Sequence, residues 1–99
     1  MQKIEFKKPK GELWSRPVEE EVNEFVQIAT FLTKSLGWKV TTKYDECEFE
    51  MAYWFQKYDT VITLYYDTMD GMSLSTQDDT FALEALFDEI NNFLRKTIQ

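Results

Sequence analysis

WKVTTKYDECEFEMAYWFQKYDTVITLYYDTMDGMSLST, residues 38–76, decides the fold. Strand side chains alternate between faces with a period of two. On that period Trp38, Val40, Thr42 and Tyr44 share one face, and Lys39, Thr41 and Lys43 take the other. The next segment alternates Cys47, Phe49, Met51, Tyr53 and Phe55 against Glu48, Glu50, Ala52 and Trp54. A turn at Asp45-Glu46 pairs Thr42 with Phe49, Val40 with Met51 and Trp38 with Tyr53, and sets Lys43 opposite Glu48 as a cross-strand charge pair. A loop over residues 56–59 leads into TVITLYYD and pairs Tyr53 with Ile62 and Met51 with Leu64. A three-residue loop, Met69-Asp70-Gly71, then pairs Tyr66 with Leu74 and gives Gly71 the positive φ that such hairpins need. The stretch reads as a three-stranded antiparallel meander with one strongly apolar face.

Helical periodicity flanks it on both sides. Residues 17–36 carry Val18, Val22, Phe25, Val26, Ala29, Leu32 and Leu36 at three- and four-residue spacing. Pro17 suits a first turn, and Gly37 suits the left-handed position that ends a helix. Phe31 falls off this stripe, so cover by the N-terminal segment is expected for it. A second helix over 79–97 has Leu83, Leu86, Phe87, Ile90, Phe93 and Leu94 as its stripe, with Asp78 or Asp79 as cap. Phe81 should pack where that helix starts. In residues 1–15, Ile4 and Phe6 alternate with charged neighbours as in a short edge strand. Lys8-Pro9-Lys10-Gly11 then signals a turn, and Leu13 and Trp14 return to the body. Two single-striped helices and a one-faced meander assemble as two layers. The expected fold is a single α+β domain over 1–99, a two-layer sandwich in the order (β)-α-β-β-β-α with both helices on one face of the sheet.

Composition bounds the chemistry. A chain of 99 residues that is 43% hydrophobic and 16% aromatic can build a core. The N-terminal residues MQKIEFKKPKG hold no apolar signal region, so a cytoplasmic location is expected. The net charge is −7 and unevenly spread: residues 1–16 hold five basic side chains against Glu5 and Glu12, and the rest of the chain is strongly acidic. Such a body repels nucleic acid and anionic membranes and attracts basic proteins.

There is no histidine and one cysteine, Cys47, which is expected inward as a small apolar residue. Zinc lacks ligands and no nucleophile has a partner base, so neither cofactor nor metal nor enzymatic activity is expected. Residues 67–71 look superficially like a calcium loop but lack its terminal bidentate glutamate. Glu48 and Glu50 share one strand with no cleft implied, which does not suit glycoside hydrolysis.

What remains is the sheet face turned away from the helices. It offers Trp54 beside Val61 and Glu50 beside Tyr65, with Glu48 and Lys43 at its border. Tryptophan and tyrosine are the usual anchors of protein interfaces. Glu20, Glu24 and Phe31 on the first helix form a second candidate surface. The expected function is a small acidic protein-binding domain of inhibitor, immunity or antitoxin character that neutralises a basic partner. A toxin nuclease or a nucleic-acid-binding protein would be such a partner. The alternative is a structural or adaptor domain acting as a homodimer.

Overall fold

The computed structural model describes residues 1–6, 18–47 and 50–98. The expected turn at residues 8–11, the return of Leu13 and Trp14, the Pro17 helix start and the placements of Glu48 and Phe49 lie outside them, as does the side chain of Cys47.

The order of elements is β1 (Gln2–Glu5), α1 (Val18–Thr30), β2 (Lys39–Cys47), β3 (Glu50–Lys57), β4 (Thr60–Asp67), β5 (Gly71–Thr76) and α2 (Leu83–Ile98). All strand pairings are antiparallel and the sheet runs β1-β5-β4-β3-β2. The chain is therefore a small α+β domain, as expected, with its leading strand paired to β5 at one edge; residues 38–76 form four strands, β2–β5, one more than the three expected between the helices.

The apolar face of the meander is the core face. Met51, Tyr53, Phe55, Ile62, Leu64, Tyr66, Met72 and Leu74 are buried against Phe25 and Ile28 of α1, Leu32 just beyond its end, and Leu83, Leu86 and Ile90 of α2. Fully burying a side chain of this size contributes about 1.5–3 kcal/mol relative to leaving it in water, so this layer is the main stabilising feature. Phe25 meets the Tyr53 ring edge-on at 4.9 Å, and Phe6 packs on Phe87 at 4.7 Å. The Tyr66 hydroxyl donates to Glu21 Oε2 at 2.6 Å, so this buried phenol reaches a carboxylate on α1.

The registers differ from the expected ones. Phe55 pairs with Ile62 and Tyr53 with Leu64, and the connection is a two-residue turn at Tyr58-Asp59 closed by Lys57 and Thr60. Tyr58 there has φ +54, a left-handed conformation. Tyr66 pairs with Met72 rather than Leu74, so the loop is Thr68-Met69-Asp70, one residue earlier than expected. Gly71 does take positive φ, at +83. Both registers slip by two, which keeps every side chain on its expected face.

β2 departs more deeply. It runs through Asp45 and Glu46 instead of turning there, and Cys47 pairs with Glu50. Register shifts fall between Val40 and Thr42 and between Tyr44 and Cys47, each adding one residue to β2. The first shift reverses the faces. Val40 still pairs with Phe55 on the core side, but Thr42 pairs with Trp54 and Tyr44 with Ala52 on the outer side, while Lys43 pairs with Tyr53.

α1 continues into a π-helical turn over Phe31–Ser35, in which the Leu36 N–H donates to the Phe31 carbonyl at 3.2 Å. This wider turn shifts the angular phase of the residues that follow it, whereas the stripe before it keeps the α-helical period, on which Ile28 falls in step with Phe25 and Leu32. Ile28, outside the expected stripe, is fully buried, whereas Val26 is 46% exposed. Phe31 meets α2, stacking on Phe93 with centroids 4.4 Å apart and planes at 11°; the N-terminal segment expected to cover it lies largely outside the described residues. Gly37, at φ +78, turns the chain so that the Trp38 N–H reaches the Leu32 carbonyl at 2.9 Å. Lys57 Nζ closes the same end by donating to the Leu36 carbonyl at 2.6 Å.

α2 begins at Leu83, later than the acidic pair suggested, because Asp78 caps a preceding turn. Its Oδ1 accepts from the Thr80 N–H at 2.9 Å and the Thr80 hydroxyl at 2.7 Å. Phe81 packs edge-on against Trp38 at 5.7 Å. β1 is tied to this region through Gln2 Nε2, which donates to the carbonyls of Asp78 and Phe81.

Candidate functional site

The outer face of the sheet is built from two cross-strand rows. One runs Thr42, Trp54, Thr63, Ser75 and Lys3; the other runs Tyr44, Ala52, Tyr65, Ser73 and Glu5. Trp54 and Tyr65 sit in the middle of these rows and are half-buried by their neighbours. Ala52 and Ser73, the small residues flanking Tyr65, are buried. Val61 is 42% exposed and lies diagonal to Trp54, since Trp54 pairs directly with Thr63 and Val61 with Gln56.

The acidic border is organised by Tyr65. Glu50 and Asp67 stand directly opposite each other on β3 and β4. Like charges in that position repel. The Tyr65 hydroxyl donates to Glu50 Oε2 at 3.1 Å and lies 3.3 Å from Asp67 Oδ2, so one phenol bridges both carboxylates. Partial burial, then the hydrogen bond and charge of Glu50, and then Asp67 push the Tyr65 hydroxyl up to about 12. The phenol stays protonated and the ring stays fixed.

Of the residues singled out from sequence, Trp54, Val61, Tyr65 and Glu50 therefore share this face. Lys43 does not belong to it. The residue added at Thr41 turns Lys43 to the opposite side, where its Nζ sits 5.0 Å from the centre of the Tyr53 ring. On that side the Tyr53 hydroxyl donates to Asp45 Oδ2 at 3.0 Å, and burial together with Asp45 raises the Tyr53 pKa. Lys43 stands opposite Tyr53, and the expected Lys43–Glu48 pair lies outside the described residues. On α1, Glu20 is exposed and Glu24 half-buried. Phe31 belongs to the contact between the helices, which withdraws the aromatic member of that second surface.

The residue that the sequence did not reveal is Tyr44. It was expected in the core and is 41% exposed on the outer face, in one row with Tyr65. No glycine or proline marks the bulge that puts it there. Among the described residues no group of three or more His, Cys, Asp or Glu is placed to hold a metal ion. None of their helices is long and apolar enough to cross a membrane. Compared with known proteins, the chain matches no family model, no curated protein and no solved structure.

Proposed function

We propose that this is a non-enzymatic protein-binding domain that uses the outer face of its sheet to hold and neutralise a basic protein. One observation carries the reading. Tyr44, Trp54, Val61 and Tyr65 lie together on the sheet face opposite the helices, beside the carboxylates Glu50 and Asp67. Rigid aromatic side chains on strands lose little freedom when a partner covers them, and they dominate binding energy where they become buried. Carboxylates around them steer a cationic partner and penalise an anionic one. The net charge of −7 acts in the same sense at longer range. An inhibitor or immunity protein directed at a cationic nuclease or DNA-binding protein has this character.

The test is capture of proteins from the source cells on the immobilised domain, with Trp54→Ala and Glu50→Lys compared with the unchanged protein. A basic protein is expected to be retained, to elute with salt, and to lose activity when the domain is bound. Trp54→Ala should weaken retention by about 2 kcal/mol or more, as loss of a central aromatic anchor does. Equal retention by folded Trp54→Ala would refute the reading.

A further inference from the structure

One end of the outer face is concave. Trp54, Val61, Thr63 and Ser75 line a cleft of about 460 Å³, and Asp59 and Asp78 contribute to it from the β3–β4 turn and from the chain beyond β5. Its parts differ in chemistry. Trp54 and Val61 give an aromatic and aliphatic wall, Thr63 and Ser75 give hydroxyls, and the two aspartates supply negative charge. Asp78 is held in place by Thr80 and by the Thr60 hydroxyl, 3.2 Å from Oδ2. Those hydrogen bonds, the Thr80 hydroxyl first, hold its carboxyl below the ordinary aspartate range, so it keeps its charge. The nearby cations have other acidic neighbours: the Met1 amino group lies 2.8 Å from Asp79 and Lys3 Nζ lies 3.9 Å from Glu5. Among the described residues neither Asp59 nor Asp78 forms an ion pair.

An anion would meet two carboxylates here. A bare cation would leave the indole unused. A flat cation on an apolar stem uses every part of the lining, because guanidinium stacks on aromatic faces and donates a planar fork of N–H groups to carboxylates. Lysine brings the same charge as a compact point without a stacking plane. We infer that this cleft takes an arginine side chain of the basic protein partner, an inference that rests on the reading of the outer face given above. The aliphatic stem would lie along Val61, the guanidinium over Trp54, and its N–H groups toward Asp59 and Asp78.

The test titrates acetyl-arginine methylamide into the full chain, labelled with nitrogen-15. Acetyl-lysine methylamide and the uncharged acetyl-citrulline methylamide serve as comparisons. Saturable shifts are expected at the Trp54 indole N–H and at the amides of Val61, Thr63 and Ser75. The dissociation constant should be in the millimolar range that a single side chain can supply. Citrulline should bind roughly tenfold more weakly and lysine detectably more weakly than arginine. Asp59→Asn, at an exposed position, should weaken arginine binding severalfold without changing the melting temperature. Equal binding of citrulline and arginine, or no saturation with arginine, overturns the inference, even if Trp54→Ala abolishes capture of the partner; the face would then stand without the arginine. Saturation with arginine while capture ignores Trp54→Ala upholds the preference of the cleft and removes the proposed partner face.

Discussion

Replacing Tyr58 by glycine or asparagine should stabilise the protein. Tyr58 is the first residue of the two-residue turn between β3 and β4, at φ +54, and its side chain is 89% exposed. For an L-residue with a Cβ, the left-handed region costs about 1–2 kcal/mol. Glycine removes that cost but adds about 0.5–1 kcal/mol of unfolded-state entropy, so the net gain is about 0.5–1 kcal/mol. Asparagine keeps its entropy and tolerates positive φ better than tyrosine, giving a smaller gain than glycine, because only the first residue of this turn has positive φ, the pattern that favours glycine there. Little burial is lost with a ring that is almost fully in water. The contact from Gln56 Nε2 to the Tyr58 carbonyl, at 3.2 Å, involves backbone and survives either change. A domain of this length converts such a gain into a rise in melting temperature of about 3–6 °C. Tyr58→Val should move the other way, because a β-branched residue fits the left-handed region worst. Urea and thermal unfolding followed by circular dichroism measure all three variants. Glycine and asparagine variants that both melt at or below the unchanged protein, with the same urea dependence, would refute the reasoning.

Tyr66→Phe removes the buried hydroxyl that donates to Glu21 and should cost about 1.5–3 kcal/mol in urea unfolding, as hydrogen bonds to charged groups do. A double-mutant cycle between Phe31 and Phe93, each changed to leucine, should return a coupling of about 0.5–1.5 kcal/mol for the stacked rings; zero coupling would reopen Phe31 as a surface anchor. Tyr65 is raised from 10.0 to about 12 in the folded protein, so its contribution to stability is complete below pH 10 and is lost as pH rises toward 12. In an ultraviolet titration of tyrosinate, Tyr65→Phe should therefore remove one late-titrating phenol, and Glu50→Gln should move that phenol to lower pH.

The faces of the meander were legible in the sequence because one phase of each strand is set by polar residues, Glu48 and Glu50 before Ala52 and Trp54, and Thr63 between Ile62 and Leu64. The other phase carries Met51, Tyr53 and Phe55 and then Ile62, Leu64 and Tyr66. The pairings were not. The connections contain no Asn-Gly, and the turn at residue 58 uses a tyrosine where glycine would have announced it. Slips of two residues between β3, β4 and β5 left the core intact and kept Trp54, Val61, Tyr65 and Glu50 on the outer side. In β2 the sequence after Val40 reads Thr41, Thr42, Lys43, with nothing apolar to insist on a face. A single added residue there carried Lys43 away from the candidate surface and brought Tyr44 into it. Phe31 was misread for a different reason: it lies beside the stripe that faces the sheet, three residues after Ile28, and a single-helix count does not show that the second helix packs there.

The irregularities of β2 also govern how one molecule can meet another. A nine-residue strand at the margin of a sheet is a template onto which a foreign strand can zip. Zipping needs hydrogen-bonding groups at an even pitch, and β2 breaks its pitch twice, near Thr41 and again beyond Tyr44. A straight strand laid along it would fall out of step within a few residues. Growth of the sheet by stacking copies side by side is thereby discouraged even in crowded solution. Along this margin, contact with another molecule is left to side chains rather than to a ladder of main-chain hydrogen bonds.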